Sequence, residues 1–381
     1  MKEALLQNIQ DIERQCKIIK STIEKIDIPS ELVPFREWIY EISSQIQVNN
    51  EDNEYYLKLN RPTQFRNLYI QTQKNVSILR FVAERYVHVL NRYQKDDNFC
   101  IKFIAWLHQQ HKLSVNRPFG LSNDGFSIRP TVDIPMIYYL PTSSQLNLLH
   151  FPLFFHEFGH FLYAFHQKEV EDLIKELQSK ISENIAIVSE ENTASNERKR
   201  EKNIWITETW FSWMQEFYCD AVGLHIGGKS YLHIFSLYLR TSGNASFYMN
   251  EESLKGCSHP VSWLRIKFLA HRAAALGLEK EAKDLTQLWQ EMANVLNIKE
   301  KYHGYYEESF FEIVNQCLDD MIEETNPICF KDCVQKDNQQ WQSMNFIELV
   351  NFAWDNYLEN FETYSILENE IIAYHTAQKR A

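Results

Sequence analysis

An α+β fold, predominantly α-helical, is what this sequence predicts. Three observations carry that reading: where glycine falls, where turn residues cluster, and where the apolar run is longest. All ten glycines lie between Gly120 and Gly304, so both flanks lack the residue that most weakens a helix short of proline. Those flanks are rich in Leu, Ile, Glu, Lys and Gln, with apolar residues at helical spacing. The first flank predicts helices at about 1–26, 31–48, 63–95 and 98–112, with Pro29, Pro34 and Pro62 punctuating the gaps. The last predicts helices near 279–298, 304–324, 344–358 and 361–378, broken at Pro327 and at the polar stretch from Lys336. Between Ser114 and Pro141 the turn signals cluster (Asn116-Arg-Pro, Ser122-Asn-Asp-Gly, Arg129-Pro), and short β-like stretches run over Phe126–Arg129 and Ile134–Leu140. One small sheet is expected there. The predicted organisation is a helical region over 1–113, a central core over 114–276 with a charged insert at 166–204, and a helical region over 277–381. The first half of the insert reads as a solvated helix and the second as a mobile loop.

A chain of 381 residues with 44% hydrophobic and 14% aromatic content can bury a large core. The formal charge of -12, with no basic stripe, disfavours nucleic acid or an anionic membrane as partner. Seven irregularly spaced cysteines read as thiols of a reducing compartment, and Cys329 and Cys333 have no second pair at zinc-site spacing. The amphipathic N-terminus has no signal core, and no apolar run is long enough to span a bilayer. A cytoplasmic protein without membrane insertion is the expectation.

The longest apolar stretch, Leu148 to Phe165, contains His156-Glu157-Phe158-Gly159-His160. Two histidines four apart on a helix present their rings on one face, close enough to grip one Zn2+ ion. Glu157 between them can take a proton from water at the ion's open position. A second apolar helix over Trp205–Gly223 carries Glu216 and Asp220, again four apart. Two carboxylates on the apolar side of a helix are costly to bury without partners. One economical solution makes Glu216 the third metal ligand, with Asp220 accepting a hydrogen bond from a ligand histidine's other nitrogen; the plain alternative is two surface acids. Further on, His259 precedes the helix-starting Pro260, where it is placed to hydrogen-bond an oxyanion or simply to cap the helix. Arg265 is placed to brace Asp220 or Glu216.

These segments in order, HEFGH, EFYCDAVGL and SHPVSWLRI, resemble the gluzincin zinc metallopeptidases, and in particular the branch of HtpX-type and CAAX-prenyl proteases. The resemblance covers residues 126–270. It implies a zincin-like core, His156, His160 and Glu216 as zinc ligands, and Glu157 as general base. It also implies that Asp220 supports a ligand and that His259 and Arg265 belong to the site. The implied activity is that of a zinc metalloendopeptidase, a hydrolase acting on a protein or peptide substrate. In such enzymes a strand before the metal helix forms the rim of the cleft, and an extended substrate pairs with it. The chain departs from the branch in lacking transmembrane helices, in having Cys219 where alanine is usual, and in the charged insert. Two other classes stay open: a non-catalytic scaffold whose zinc is structural, and a single-target peptidase held shut by the 166–204 insert.

The remaining signals are weaker. Residues Gly223 to Ser230, GLHIGGKS, match a phosphate-binding loop in letters but trail a helix instead of following a strand, so they read as a helix stop with a turn. His108 and His111 lie on a helix expected to pack elsewhere, and His150 is placed to line the cleft. Tyr138, Tyr139 and Tyr248 offer oxyanion hydroxyls among which the sequence does not choose.

Overall fold

The computed structural model describes residues 1–111, 117–131, 133–189, 196–241, 246–333 and 340–377. The turn signals at Ser114 and Asn116, the break at Lys336 and residues 190–195 of the expected loop lie outside them. Helices dominate, with one three-stranded sheet, in agreement with the predicted class. The chain divides into two compact units, Met1–Gln145 and Leu146–Ala381. That division falls inside the 114–276 stretch.

In the first unit α1 (Lys2–Glu24), α2 (Val33–Lys58) and α3 (Phe65–Val82) form a bundle. Their buried positions alternate in steps of four and three: Leu5, Ile9, Ile12, Cys16, Ile19 and Ile23 on α1, and Ile39, Ser43, Ile46, Asn50, Asn53 and Leu57 on α2. Such a repeat keeps one narrow seam facing its partners. Asn50 in that seam donates its amide to the Ile9 carbonyl at 2.7 Å. The expected helix over 63–95 is α3 running through a π-helical turn, Ala83–Val87, into α4 (His88–Asn91). Helix α5 spans Asn98–Gln110. The sheet is ordered β1 (Phe119–Asn123), β3 (Met136–Leu140), β2 (Ser127–Arg129), with β1 parallel and β2 antiparallel to β3. Strand β1 was not expected, because FGLSN carries neither β-branched residues nor alternation.

The second unit opens with α6 (Leu153–Phe165), apolar on nearly every side. It lies against α8 (Asn196–Gly227), which is longer than the Trp205–Gly223 helix expected. Helix α7 (Gln167–Ser189) is the helix expected for the first half of the 166–204 insert, and α8 takes in residues 196–204, which corrects the mobile loop predicted there. Glu-, Lys- and Arg-rich sequence has good helix propensity, so charge alone did not mean loop. The two helices touch through Gly159: a Cβ there would stand 2.9 Å from the backbone Cα of Cys219. After α8 the chain turns at Gly228, whose φ of +59° suits glycine, into α9 (Lys229–Thr241). Lys229 pairs with Asp355 at 2.7 Å, and the Ser230 amide donates to the Asn351 side chain. The GLHIGGKS segment is therefore the expected helix stop and turn. A short α10 (Glu251–Leu254), α11 (Ser262–Ala275) and α12 (Glu279–Leu296) follow, then α13 (Phe311–Thr325), α14 (Phe346–Glu359) and α15 (Phe361–Ala377). Among the described residues no helix is long and apolar enough to cross a membrane.

Candidate metal centre

Helix α6 presents His156 and His160 one turn apart, with ring centroids 5.0 Å apart and planes nearly perpendicular. Helix α8 brings Glu216 up to both. Its Oε2 lies 3.6 Å from His156 Nε2 and its Oε1 lies 3.7 Å from His160 Nε2. With metal–ligand bonds of about 2.0–2.2 Å, neighbouring ligand atoms of a tetrahedral site stand about 3.3–3.5 Å apart. The observed separations are too long for hydrogen bonds and slightly longer than that edge, so Glu216 stands from each histidine near the spacing of two ligands on one cation.

Asp220, one turn beyond Glu216, takes the other side of the His156 ring. His156 Nδ1 stands 3.0 Å from Asp220 Oδ1, the placement in which Nδ1–H donates to the aspartate and the other nitrogen, Nε2, faces Glu216. Arg265 on α11 holds the same aspartate with two hydrogen bonds, Nε to Oδ2 at 2.7 Å and Nη2 to Oδ1 at 2.8 Å, and reaches Glu216 Oε2 at 3.1 Å. Both acids expected to be braced by Arg265 are in its reach. His259, in the loop between α10 and α11, extends Nε2 to 3.6 Å from Glu216 Oε1, with its side chain 65% exposed.

Helix α9 adds groups that the sequence reading passed over. Tyr231 donates its hydroxyl to Asp220 Oδ1 at 2.9 Å. Phe235 stacks on the His156 ring at 6.2 Å and lies under the Arg265 guanidinium at 4.8 Å. Tyr238 follows on the same helical face, and burial together with the carboxylates of Glu157 and Glu216 raises its hydroxyl pKa. Spacing of four and three along α9 was legible; that this face turns toward α6 depends on the bend at Gly228. Cys219 was noted only as a departure. It is fully buried, and one ligand atom each from His156, His160 and Cys219 lie within 4.8 Å of one another, so this trio could also hold a metal.

The electrostatics follow from burial against pairing. Burial would push the Asp220 carboxyl up, but Arg265 and the hydrogen bonds it receives hold it down at about 2. For Glu216 the same contest, with Arg265 and the histidines against burial, also ends below the usual range. His160 falls to about 4 through burial and then the neighbouring His156. His156 goes the other way: burial opposes its charge, yet Asp220, Glu216 and Glu157 outweigh burial and raise its pKa. The buried carboxylates of Glu216 and Asp220 share the one buried guanidinium of Arg265, the kind of pairing that buried charge requires.

His108 bonds the Tyr138 hydroxyl at 2.9 Å and His111 the Leu107 carbonyl, both inside the first unit, to which Tyr139 also belongs. Tyr248 is 54% exposed at a bridge with Lys301. His150 sits in the turn preceding α6, with its pKa lowered by burial. No protein-family model, curated protein or solved structure matches this chain.

Proposed function

We propose that the chain is a zinc-dependent peptidase, with His156, His160 and Glu216 as metal ligands on a zincin-like pair of helices, α6 and α8. The observation that carries the reading is the position of Glu216. Its two carboxylate oxygens stand at near-coordination spacing from two imidazole nitrogens of another helix, while Asp220 orients one of those rings from behind. A zinc ion held there supplies Lewis-acid polarisation of the scissile carbonyl and makes water acidic near neutrality. Glu157 takes the proton from the attacking water and passes it to the departing amine. Asp220, Arg265 and Tyr231 keep His156 in the tautomer and orientation that this requires. The substrate class is protein or peptide.

A second reading, a closed structural zinc in a scaffold protein, is favoured by one observation: the Cys219 sulfur and one nitrogen of each histidine lie within 4.8 Å of one another. Metal analysis combined with Glu157→Gln separates the two. In the peptidase, Glu157→Gln keeps its zinc and loses cleavage by about 100-fold to 10,000-fold. The readout is the set of new peptide ends in cells expressing wild type and not in cells expressing the variant. Identical sets from both would refute peptide hydrolysis, and protein purified free of zinc and unable to take it up would remove both readings.

A further inference from the structure

The seam of the bundle in the first unit is unevenly built. Helix α1 brings apolar groups to it, Leu5, Ile9, Ile12, Ile19 and Ile23, together with the thiol of Cys16. In the same seam α2 buries Ser43, Asn50 and Asn53, and α3 buries Thr72 and Asn75. Asn53 is 1% exposed, yet neither its Nδ2 nor its Oδ1 has a hydrogen-bond partner among the described residues. The same holds for Asn50 Oδ1, Asn75 Nδ2 and Ser43 Oγ. We infer that α1 is a detachable helix: the first unit reaches a second state in which α1 leaves the seam, α2 and α3 stay together, and the stranded polar groups meet water.

The cost of burial gives the reason. An amide stripped of water without a new partner penalises the docked state, and release restores its hydration. Of these side chains only Asn50 answers α1, giving Nδ2 to the Ile9 carbonyl at 2.7 Å. Thr72 turns its hydroxyl back to the Leu68 carbonyl of its own helix at 2.6 Å. Apolar closure concentrates at one end of the bundle, where Leu5 and Ile9 meet Leu57 and Leu68. Further along, the isoleucines of α1 face a surface that is partly amide and hydroxyl.

The remaining contacts decide which helix leaves. Tyr86, fully buried in the π-helical turn after α3, sets its ring 5.8 Å from Phe35 and 4.9 Å from Trp38 on α2, and 5.4 Å from Phe81 on α3. Phe35 in turn packs against β1, where a Cβ on Gly120 would stand 2.9 Å from its ring. Helices α2 and α3 are thereby tied to each other, and α2 to the sheet, by aromatic packing outside the polar part of the seam. Outside the seam α1 meets α2 through Lys20, which donates to Gln47 and lies 4.7 Å over the Tyr40 ring, itself 42% exposed. Water competes with a contact of that kind.

Cys16 reports the event, because it is fully buried in the α1 seam, and Cys100, fully buried in α5 of the same unit, is the reference. The full chain is treated with iodoacetamide in native buffer, and alkylation of each cysteine is followed by mass spectrometry of its peptide. Cys16 should react at least about tenfold faster than Cys100, since release of α1 does not require the rest of the unit to open. Asn53→Leu combined with Asn75→Leu removes stranded groups from the seam and should slow Cys16 by about tenfold or more. Equal rates for the two thiols in wild type would overturn the inference. So would a fast Cys16 that the double substitution leaves unchanged, because the polar seam would then not be the cause. Deuterium exchange of wild type decides without any variant: amides of α1 should exchange ahead of those of α2 and α3, and equal protection of the three helices would overturn the inference.

Discussion

Asp220 Oδ1 alone receives three donors, from His156, Tyr231 and Arg265, in a place that is 2% exposed. A carboxylate so satisfied is rigid, and rigidity here is inherited by the histidine it holds. Asp220→Asn keeps the shape but cannot accept at every site, so zinc affinity should drop about 10-fold to 100-fold, read by competition with a chromophoric chelator. An unchanged affinity would mean that Asp220 is not orienting His156. Arg265→Met acts differently. It strands Asp220 and Glu216 as buried anions without a guanidinium, which costs about 3–5 kcal/mol in the metal-free protein. Zinc should recover part of that loss, measurable as a larger zinc-dependent rise in urea midpoint for the variant than for wild type. At this scale much was legible in the sequence. Four-residue spacing fixes which side chains share a helical face, so the pairs His156 and His160, Glu216 and Asp220 could be read directly. Tyr231 and Cys219 could not, because their parts depend on which neighbour each helix meets.

At the scale of elements, the site depends on how closely α6 and α8 approach. Gly159 makes the contact, and a Cβ there would meet backbone at Cys219 instead of a side chain that can swing aside. Gly159→Ala should therefore push the helices apart, costing about 1–3 kcal/mol of stability. It should also weaken zinc binding, since Glu216 moves away with α8. Calorimetry and the chelator competition read the two effects. A variant of native stability and affinity would show that the helices have slack. The same scale explains the error over the charged insert. For the second half expectation followed charge and read loop; residues 196–204 follow propensity and form the first turns of α8.

Across the whole molecule, acid should be felt early. His111, His150, His225 and His233 all have pKa values lowered by burial, and His160 falls to about 4. The folded state of each prefers the neutral ring, while the unfolded chain takes up protons below about 6.5. Their contribution to stability is therefore complete above about pH 6.5 and declines as pH falls toward the folded values, for His160 down to about 4. His156, with its pKa raised, runs in the opposite direction in the metal-free protein. The urea midpoint of metal-free protein should fall between pH 7 and pH 5, before most carboxylates titrate; a flat midpoint over that interval would contradict the burial of these rings.

The sequence by itself determined the helical class, the glycine-free flanks, the small sheet's second and third strands, and the pairing of candidate site residues within each helix. Those are consequences of local periodicity and propensity, which need no knowledge of neighbours. Only the tertiary structure decided that Glu216 faces both histidines, that Arg265 spans two acids, that α9 supplies Tyr231 and Phe235, and that His259 reaches Glu216 from an exposed loop. Each of these is a distance between segments far apart in the chain, set by side-chain volume at helix crossings such as Gly159, and volume complementarity between distant segments leaves no periodic trace in a single sequence.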